Sequence, residues 1–133
     1  MRIRHAPMIP VSWGELVDKI TILELKRNKI ESEPARKKIE QELTLLLKLY
    51  EDGIDETACM NELKRDLASV NSQLWNVEDS VRAKEAKNIF DAEFIALARS
   101  VYKLNDRRFE IKRRLNAETA SELIEEKIYP KYP

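Results

Sequence analysis

"LKRDLASVNSQLWNVEDSV", residues 63–81, decides the fold, because its apolar side chains recur at alternating steps of four and three. This spacing aligns the apolar residues on one face of a helix: Leu63, Leu67, Val70, Leu74, Val77 and Val81. Residues 97–115 repeat the spacing with Leu97, Val101, Leu104, Arg108, Ile111 and Leu115. The two stretches predict two long helices, at about residues 56–86 and 91–115, each with a face that packs against a neighbour.

The segment AKNIFDAEF, residues 86–94, lies between these helices and predicts a tight reversal. Asn88 can cap the outgoing helix, and Asp91 the incoming one. If the chain folds back about Ile89, residues at equal distances from Ile89 face each other. This register gives five apolar pairs: Leu63 with Leu115, Leu67 with Ile111, Leu74 with Leu104, Val77 with Val101 and Val81 with Leu97. The sixth pair is Val70 with Arg108, and a guanidinium in that position requires an anionic or strongly accepting partner.

Two further helices are predicted before the hairpin, at about residues 13–31 and 34–52. In VSWGELVDKITILELKRNKI, residues 11–30, Ser12 and Glu15 have the spacing of a capping box, so the first helix begins at Trp13. Pro34 disfavours helical geometry at the residue before it and suits the first turn of the second helix. Gly53 is expected to end the second helix as a left-handed C-cap.

These patterns predict an all-α fold in a single domain, residues 1–133. We expect a helical bundle built on the long antiparallel hairpin, with the first two helices packed along it. A short C-terminal helix is expected between the hairpin and the last residues, and the proline-punctuated termini, RIRHAPMIPV and IYPKYP, are expected to form extended arms. The second helix carries more apolar width than one packing face needs, which could leave a face for another subunit.

The composition excludes several classes of protein. The chain has 24 basic and 24 acidic side chains and a formal net charge of +0, which disfavours nucleic-acid binding. With one cysteine, Cys59, no intrachain disulfide is possible, and no Cys/His cluster indicates zinc. We expect no metal and no cofactor. No apolar run suits a signal peptide or a membrane span, so the sequence predicts a soluble, cytoplasmic protein.

A line of polar and aromatic side chains follows the apolar seams on three of the predicted helices. Its members form a candidate ligand-binding cluster: Glu15, Asp18, Lys19, Glu24, Asn71, Trp75, Glu78, Arg82, Tyr102, Asn105, Arg108 and Lys112. The same residues could instead form an internal ion network. In that hypothesis Asp18 or Glu24 pairs with Arg108, and Lys19 pairs with Glu78.

Four stretches together resemble a family of small, uncharacterised bacterial and phage helical proteins. They are VSWGELVDKITILELK, NSQLWNVEDSVR, ARSVYKLNDRR and ELIEEKIY, and the resemblance covers nearly the whole chain. It implies an all-helical fold and occurrence beside or fused to glycosyltransferase-type proteins of surface-polysaccharide pathways. It implies no catalytic residue. The polar set that these motifs repeat adds Thr21, Asp79, Glu126 and Lys127 to most of the candidate cluster.

No residue pattern defines a reaction, so catalytic residues stay unknown and enzyme activity stays open. A di-iron bundle needs Glu-x-x-His on two helices, whereas the single histidine, His5, lies in the N-terminal arm. The preferred interpretation is a non-catalytic binding or adaptor module that assembles with itself or with a partner of a glycan-related pathway. The alternative is a small enzyme or ligand-binding protein that holds an anionic metabolite, such as a sugar nucleotide, in the polar cluster. Carboxylate partners for Arg108 and Lys19 favour the first, and a cavity favours the second.

Overall fold

The computed structural model describes residues 1–128 and 130–132 and is all-helical over that part of the chain. Its four helices are α1 (Trp13–Lys29), α2 (Glu33–Gly53), α3 (Ala58–Ala86) and α4 (Ala92–Glu118). The described residues contain no strand. The predicted all-α fold is therefore confirmed, and each of the first four predicted helices corresponds to one of these.

Helices α3 and α4 form the predicted antiparallel hairpin. Asn88 adopts a left-handed conformation, with φ 55°. Its N–H donates to the carbonyl of Glu85 at 3.0 Å, and the N–H of Ile89 donates to that of Lys84 at 2.9 Å. This pattern satisfies two of the carbonyl groups that the end of α3 leaves open. The Asp91 carboxylate accepts from the N–H of Phe94 at 2.9 Å, so both predicted caps are confirmed.

Residues predicted to face each other across the hairpin share buried clusters. Leu74 and Leu104 lie in one cluster together with Val70. Leu63 and Leu115 lie in the main core, which also receives residues of α1 and α2. The apolar seam of the hairpin therefore continues directly into the core of the bundle.

Helix α1 lies at the centre of the bundle and packs against all three other helices, whereas α2 packs along α1. Leu16, Val17, Ile20 and Leu23 of α1 are buried in the main core. From α2 the core receives Leu43 and Tyr50. Because α2 approaches the hairpin mainly through α1, the orientation of α1 also determines where α2 lies.

Gly53 does not act as the predicted left-handed cap. It belongs to α2, which ends with Ile54 as its C-cap at φ −126°, and no glycine of the described chain has a positive φ. A Cβ on Gly53 would lie 2.3 Å from Cη2 of Trp13. The residue is small because the indole ring of Trp13 packs directly on the backbone of α2.

The predicted short C-terminal helix is also wrong, because no described residue beyond Glu118 is helical. Helix α4 ends through Ala120 at φ 51°, and the N–H of Ser121 donates to the carbonyl of Asn116 at 2.8 Å. The described tail then lies along α4, where Lys127 pairs with Asp106. Its apolar side chains Leu123, Ile124 and Ile128 are exposed, so a helix there would have had no face to bury.

The N-terminal arm, residues 1–11, has neither helix nor strand and is exposed throughout. Tyr129 and Pro133, which belong to the predicted C-terminal arm, are outside the described residues.

Candidate functional site

A buried polar cluster lies where α1 meets α3 and α4, and the carboxylate of Asp18 is its centre. Asp18 is 0% exposed. Arg108 of α4 donates to both of its carboxylate oxygens, through Nε at 3.0 Å to Oδ1 and through a terminal nitrogen to Oδ2. Asn71 of α3 donates to Oδ1 at 2.9 Å. The prediction that Arg108 has an anionic partner on α1 is confirmed, and that partner is Asp18 rather than Glu24.

Asn71 also ties the cluster to a second residue of α1. Its Nδ2 donates to Oγ1 of Thr21 at 2.9 Å, and the Thr21 hydroxyl donates to the backbone carbonyl of Asp18 at 2.8 Å. The hydrogen bonds to Asp18 raise the pKa of Arg108 above its ordinary value, against the lowering effect of burial. The pairing with Asp18 therefore favours the cationic form of Arg108.

Lys112 forms the second half of the cluster. Its side chain is 8% exposed, and its Nζ donates to Oε2 of Glu15 at 2.6 Å and lies 3.0 Å from Oε2 of Glu125. Nζ lies 3.6 Å from Oδ2 of Asp18, which joins the two halves. Burial lowers the pKa of Lys112, but the carboxylates of Glu15, Glu125 and Asp18 outweigh it, so the pKa is raised overall.

The contact with Lys112 explains why the predicted capping box forms only in part. The Ser12 hydroxyl accepts from the N–H of Glu15 at 3.1 Å, as predicted. The Glu15 carboxylate should in turn have accepted from the backbone of Ser12, but it receives the ammonium of Lys112 instead. A buried cation stabilises a carboxylate more than one backbone N–H does, so the tertiary contact replaces the local one.

The N-terminus of α1 lies directly against the end of α4. The N–H of Gly14 donates to Oδ1 of Asn116 at 2.7 Å, and the N–H of Trp13 donates to the Ser121 hydroxyl at 3.2 Å. A Cβ on Gly14 would lie 2.6 Å from the carbonyl oxygen of Lys112. Gly14 therefore allows the two backbones to approach, and the first free N–H groups of α1 are satisfied by another part of the chain.

Several predicted members lie outside the cluster. Lys19, Glu78 and Arg82 are exposed, and the described chain contains no ion pair between Lys19 and Glu78, so that predicted pair is wrong. Lys19 lies on the one strip of α1 that the other helices leave uncovered. Glu24 and Asn105 are half-buried but make none of the cluster's hydrogen bonds.

The two aromatic residues of the candidate set also lie apart from the cluster. The ammonium of Lys29 lies 5.6 Å from the ring centre of Trp75. Tyr102 packs against Tyr132 of the tail, with ring centres 5.0 Å apart. Neither ring therefore forms a wall of a pocket over Asp18.

Three residues in or beside the cluster were absent from both the candidate set and the polar set that the motifs of the resemblance repeat: Glu125, which contacts Lys112, and Asn116 and Ser121, which bind the backbone at the start of α1. Asn116 and Ser121 follow the last predicted seam residue of α4, and Glu125 lies in the segment predicted to be helical. One sequence feature indicates a contact in this region: Gly14 lies inside a helix, and a glycine there indicates that another backbone approaches closely. Thr21 is the remaining member, and it had appeared only in the motifs of the resemblance.

The cluster has the chemistry of a closed ion network. Two surface depressions, of about 330 and 280 Å³, lie elsewhere, and Asp66 and Arg114 line both. In the described part of the chain, no group of three or more His, Cys, Asp or Glu side chains is placed to hold a metal ion. The carboxylates of Glu15, Asp18 and Glu125 converge on cationic side chains of α4.

Comparison with known proteins identifies the chain as a member of a family of unknown function, DUF6165, whose model matches residues 8–132. The chain belongs to this family over almost its whole length. No curated protein and no solved structure matches it. Among the described residues, no helix has the length and apolar character that crossing a membrane requires.

Proposed function

We propose that this DUF6165 chain is a non-catalytic helical binding module, an adaptor that acts through its exposed helical surfaces. The observation that carries the proposal is the environment of Lys112. This buried cation lies within 3.0 Å of the carboxylates of Glu15 and Glu125. The other cation, Arg108, is bound by Asp18. Both groups that an anionic ligand would need are therefore occupied by carboxylates of the same chain.

The net charge of the cluster also disfavours an anionic ligand. Its two cations, Arg108 and Lys112, face three carboxylates, those of Glu15, Asp18 and Glu125. With all five ionised, the cluster carries one net negative charge. An anionic metabolite would have to displace internal carboxylates from a site that repels it, and this disfavours the alternative function of holding a sugar nucleotide.

Exposed apolar groups lie away from this cluster and are available for binding. At the tip of the hairpin, Ile89, Phe90 and Ile95 are 39%, 55% and 55% exposed. On the outer side of α2, Leu45 and Leu49 are 66% and 57% exposed. Apolar groups clustered on a surface are typical of protein contacts.

We also propose a pathway and a cellular compartment for this binding role. The resemblance implies bacterial and phage proteins that occur beside or fused to glycosyltransferase-type proteins of surface-polysaccharide pathways, and we propose such a protein as the partner. The single cysteine, Cys59, is a free thiol and fits a reducing compartment, which we propose is the cytoplasm.

Titration with UDP-glucose and UDP-N-acetylglucosamine tests the proposal, with the melting temperature as the readout. We expect no saturable rise in melting temperature for the chain or for an Arg108→Met variant. A saturable rise that Arg108→Met abolishes would overturn the proposal in favour of the anionic-ligand function.

The binding role has its own test with a purified glycosyltransferase-type protein of a surface-polysaccharide pathway from the same organism. Sedimentation of the mixture should show a complex, and Phe90→Asp at the hairpin tip should weaken it. The control is Ile3→Asp, which changes an apolar residue of the N-terminal arm that is 91% exposed, against 55% for Phe90. Equal weakening by both variants would contradict a role for the tip.

A further inference from the structure

Helix α2 has a second face that the bundle does not use. Its buried residues, Leu43 and Tyr50, point to one side. On the opposite side, within about 60° and two helical turns of Leu45, seven exposed side chains form a strip. We name this strip the α2 outer face: Lys38, Gln41, Glu42, Leu45, Lys48, Leu49 and Asp52.

The charges of the α2 outer face have opposite signs on either side of Leu45. Seven residues before Leu45 stands Lys38, and seven after it stands Asp52. Three residues before it stands Glu42, and three after it stands Lys48. If two copies of α2 pack antiparallel with Leu45 on the two-fold axis, Lys38 and Asp52, which lie within about 20° of the contact line, each meet the opposite charge of the second copy. Glu42 and Lys48 lie on opposite flanks of the contact, beside Leu49 and Gln41 of the second copy. A parallel pair would place Lys38 against Lys38 and Asp52 against Asp52.

Little within the chain holds these charges in place. Lys38 and Glu42 are exposed and form no ion pair with any described residue of their own chain. Asp52 stands in the last turn of α2, where the helix dipole disfavours an anion. Its one ion pair, with Lys48 at 3.0 Å, joins side chains that are 64% and 76% exposed and is readily exchanged for another.

We propose that the α2 outer face is a self-association surface, on which α2 of a second copy packs antiparallel about a two-fold axis at Leu45. The inference rests on the proposed binding function and names one partner, a second copy of this chain. Lys38 then pairs with Asp52 of the second copy. One helix pair with two leucines from each copy is at the small end of protein interfaces, so the dimer is reversible and depends on concentration.

Sedimentation over a concentration series tests this assembly. The mass should rise from 15.6 kDa toward twice that value as concentration increases. Leu45→Asp should remain a monomer with an unchanged circular dichroism spectrum, because Leu45 is 66% exposed. A single-chain mass at high micromolar concentration would overturn the inference, and so would a dimer that Leu45→Asp leaves intact.

Charge reversal tests the register without changing an apolar residue. Lys38→Glu and Asp52→Lys should each weaken the dimer about tenfold, because each places like charges opposite each other twice in the symmetric pair. The double variant K38E/D52K should restore the wild-type dissociation constant to within about threefold. The control is Glu40→Lys, an exposed charge change off this face. A double variant that is no better than the singles would reject the antiparallel register.

A disulfide provides an independent measurement. In a Cys59→Ser background, Leu45→Cys should form an intermolecular disulfide on mild oxidation, because the two-fold axis brings position 45 of both copies together. Glu40→Cys is the control and should stay reduced. Cross-linking of both at equal rates would show random collision. Failure of these tests leaves the sugar-nucleotide and hairpin-tip results unaffected, so the two proposals are judged separately.

Discussion

Replacing Arg108 by Met should destabilise the protein by about 2–4 kcal/mol. Breaking a buried ion pair from one side costs about 3–5 kcal/mol, because the remaining charge is left without compensation. Here the remaining charge is Asp18, whose side chain is 1% exposed. The cost is reduced because the Arg108 side chain is 29% exposed and because Lys112 stays 3.6 Å from Asp18. For a chain of this length, the melting temperature should fall by about 10 °C.

Calorimetry or circular dichroism melting at neutral pH measures the effect. The matched control is Arg107→Met, which removes a neighbouring exposed arginine of α4 and should change stability by less than about 0.5 kcal/mol. The double variant D18N/R108M removes the uncompensated carboxylate and should be more stable than the sum of the single changes predicts. If Arg108→Met melts at or above the temperature of Arg107→Met, the structural reasoning is refuted, and the cluster is better explained as a site for an anion.

Three further substitutions test the packing. Tyr50→Phe should keep or raise stability by about 1 kcal/mol at neutral pH, since the buried hydroxyl has no hydrogen-bond partner within ordinary bonding distance among the described residues. Burial, with a smaller contribution from Glu56, raises the pKa of Tyr50 to about 12 from 10.0, so the wild type loses stability as pH rises through that interval. The Phe variant should lose less, and equal alkaline melting curves would contradict this. Ala120→Gly should gain about 1 kcal/mol by relieving a left-handed alanine, and a loss on thermal melting would argue against that strain. Gly53→Ala should destabilise the protein by about 1–2 kcal/mol, because the added methyl group must push the Trp13 ring aside, and this outweighs the better helix propensity of alanine. A rise in melting temperature would show that the ring is free to move.

The hairpin could be predicted because its signals are local and repeated. The alternating steps of four and three define a helix face without any tertiary information, and Asn88 and Asp91 satisfy backbone groups within a few residues of themselves. The partner of Arg108 was predictable to a choice between Asp18 and Glu24, since a charge in an apolar seam must be compensated and α1 is the neighbouring helix.

Tertiary contacts determine the features that local sequence patterns do not predict. Glu15 has the correct spacing for a capping box, yet its carboxylate binds Lys112, and Gly53 has the correct position for a cap, yet it makes room for Trp13. Glu125 was expected in a helix, but the tail follows α4 and brings its carboxylate to Lys112. None of these contacts is visible in a pattern of hydrophobic residues, because each depends on where a distant segment passes.

The buried polar cluster determines the orientation of α1 in a way that the apolar core alone would not. Apolar contacts are non-directional, so a helix with buried side chains on most of its sides could rotate or slide with little loss of contact. Asp18 receives donors from α3 and from α4 at once, through Asn71 and Arg108, and these hydrogen bonds fix both the rotation and the height of α1 on the hairpin. Since α2 packs along α1, the same contacts fix where α2 presents Leu45 and Leu49. In the proposed binding role, an internal network of this kind would contribute without touching a partner, because it holds the exposed surfaces in one arrangement.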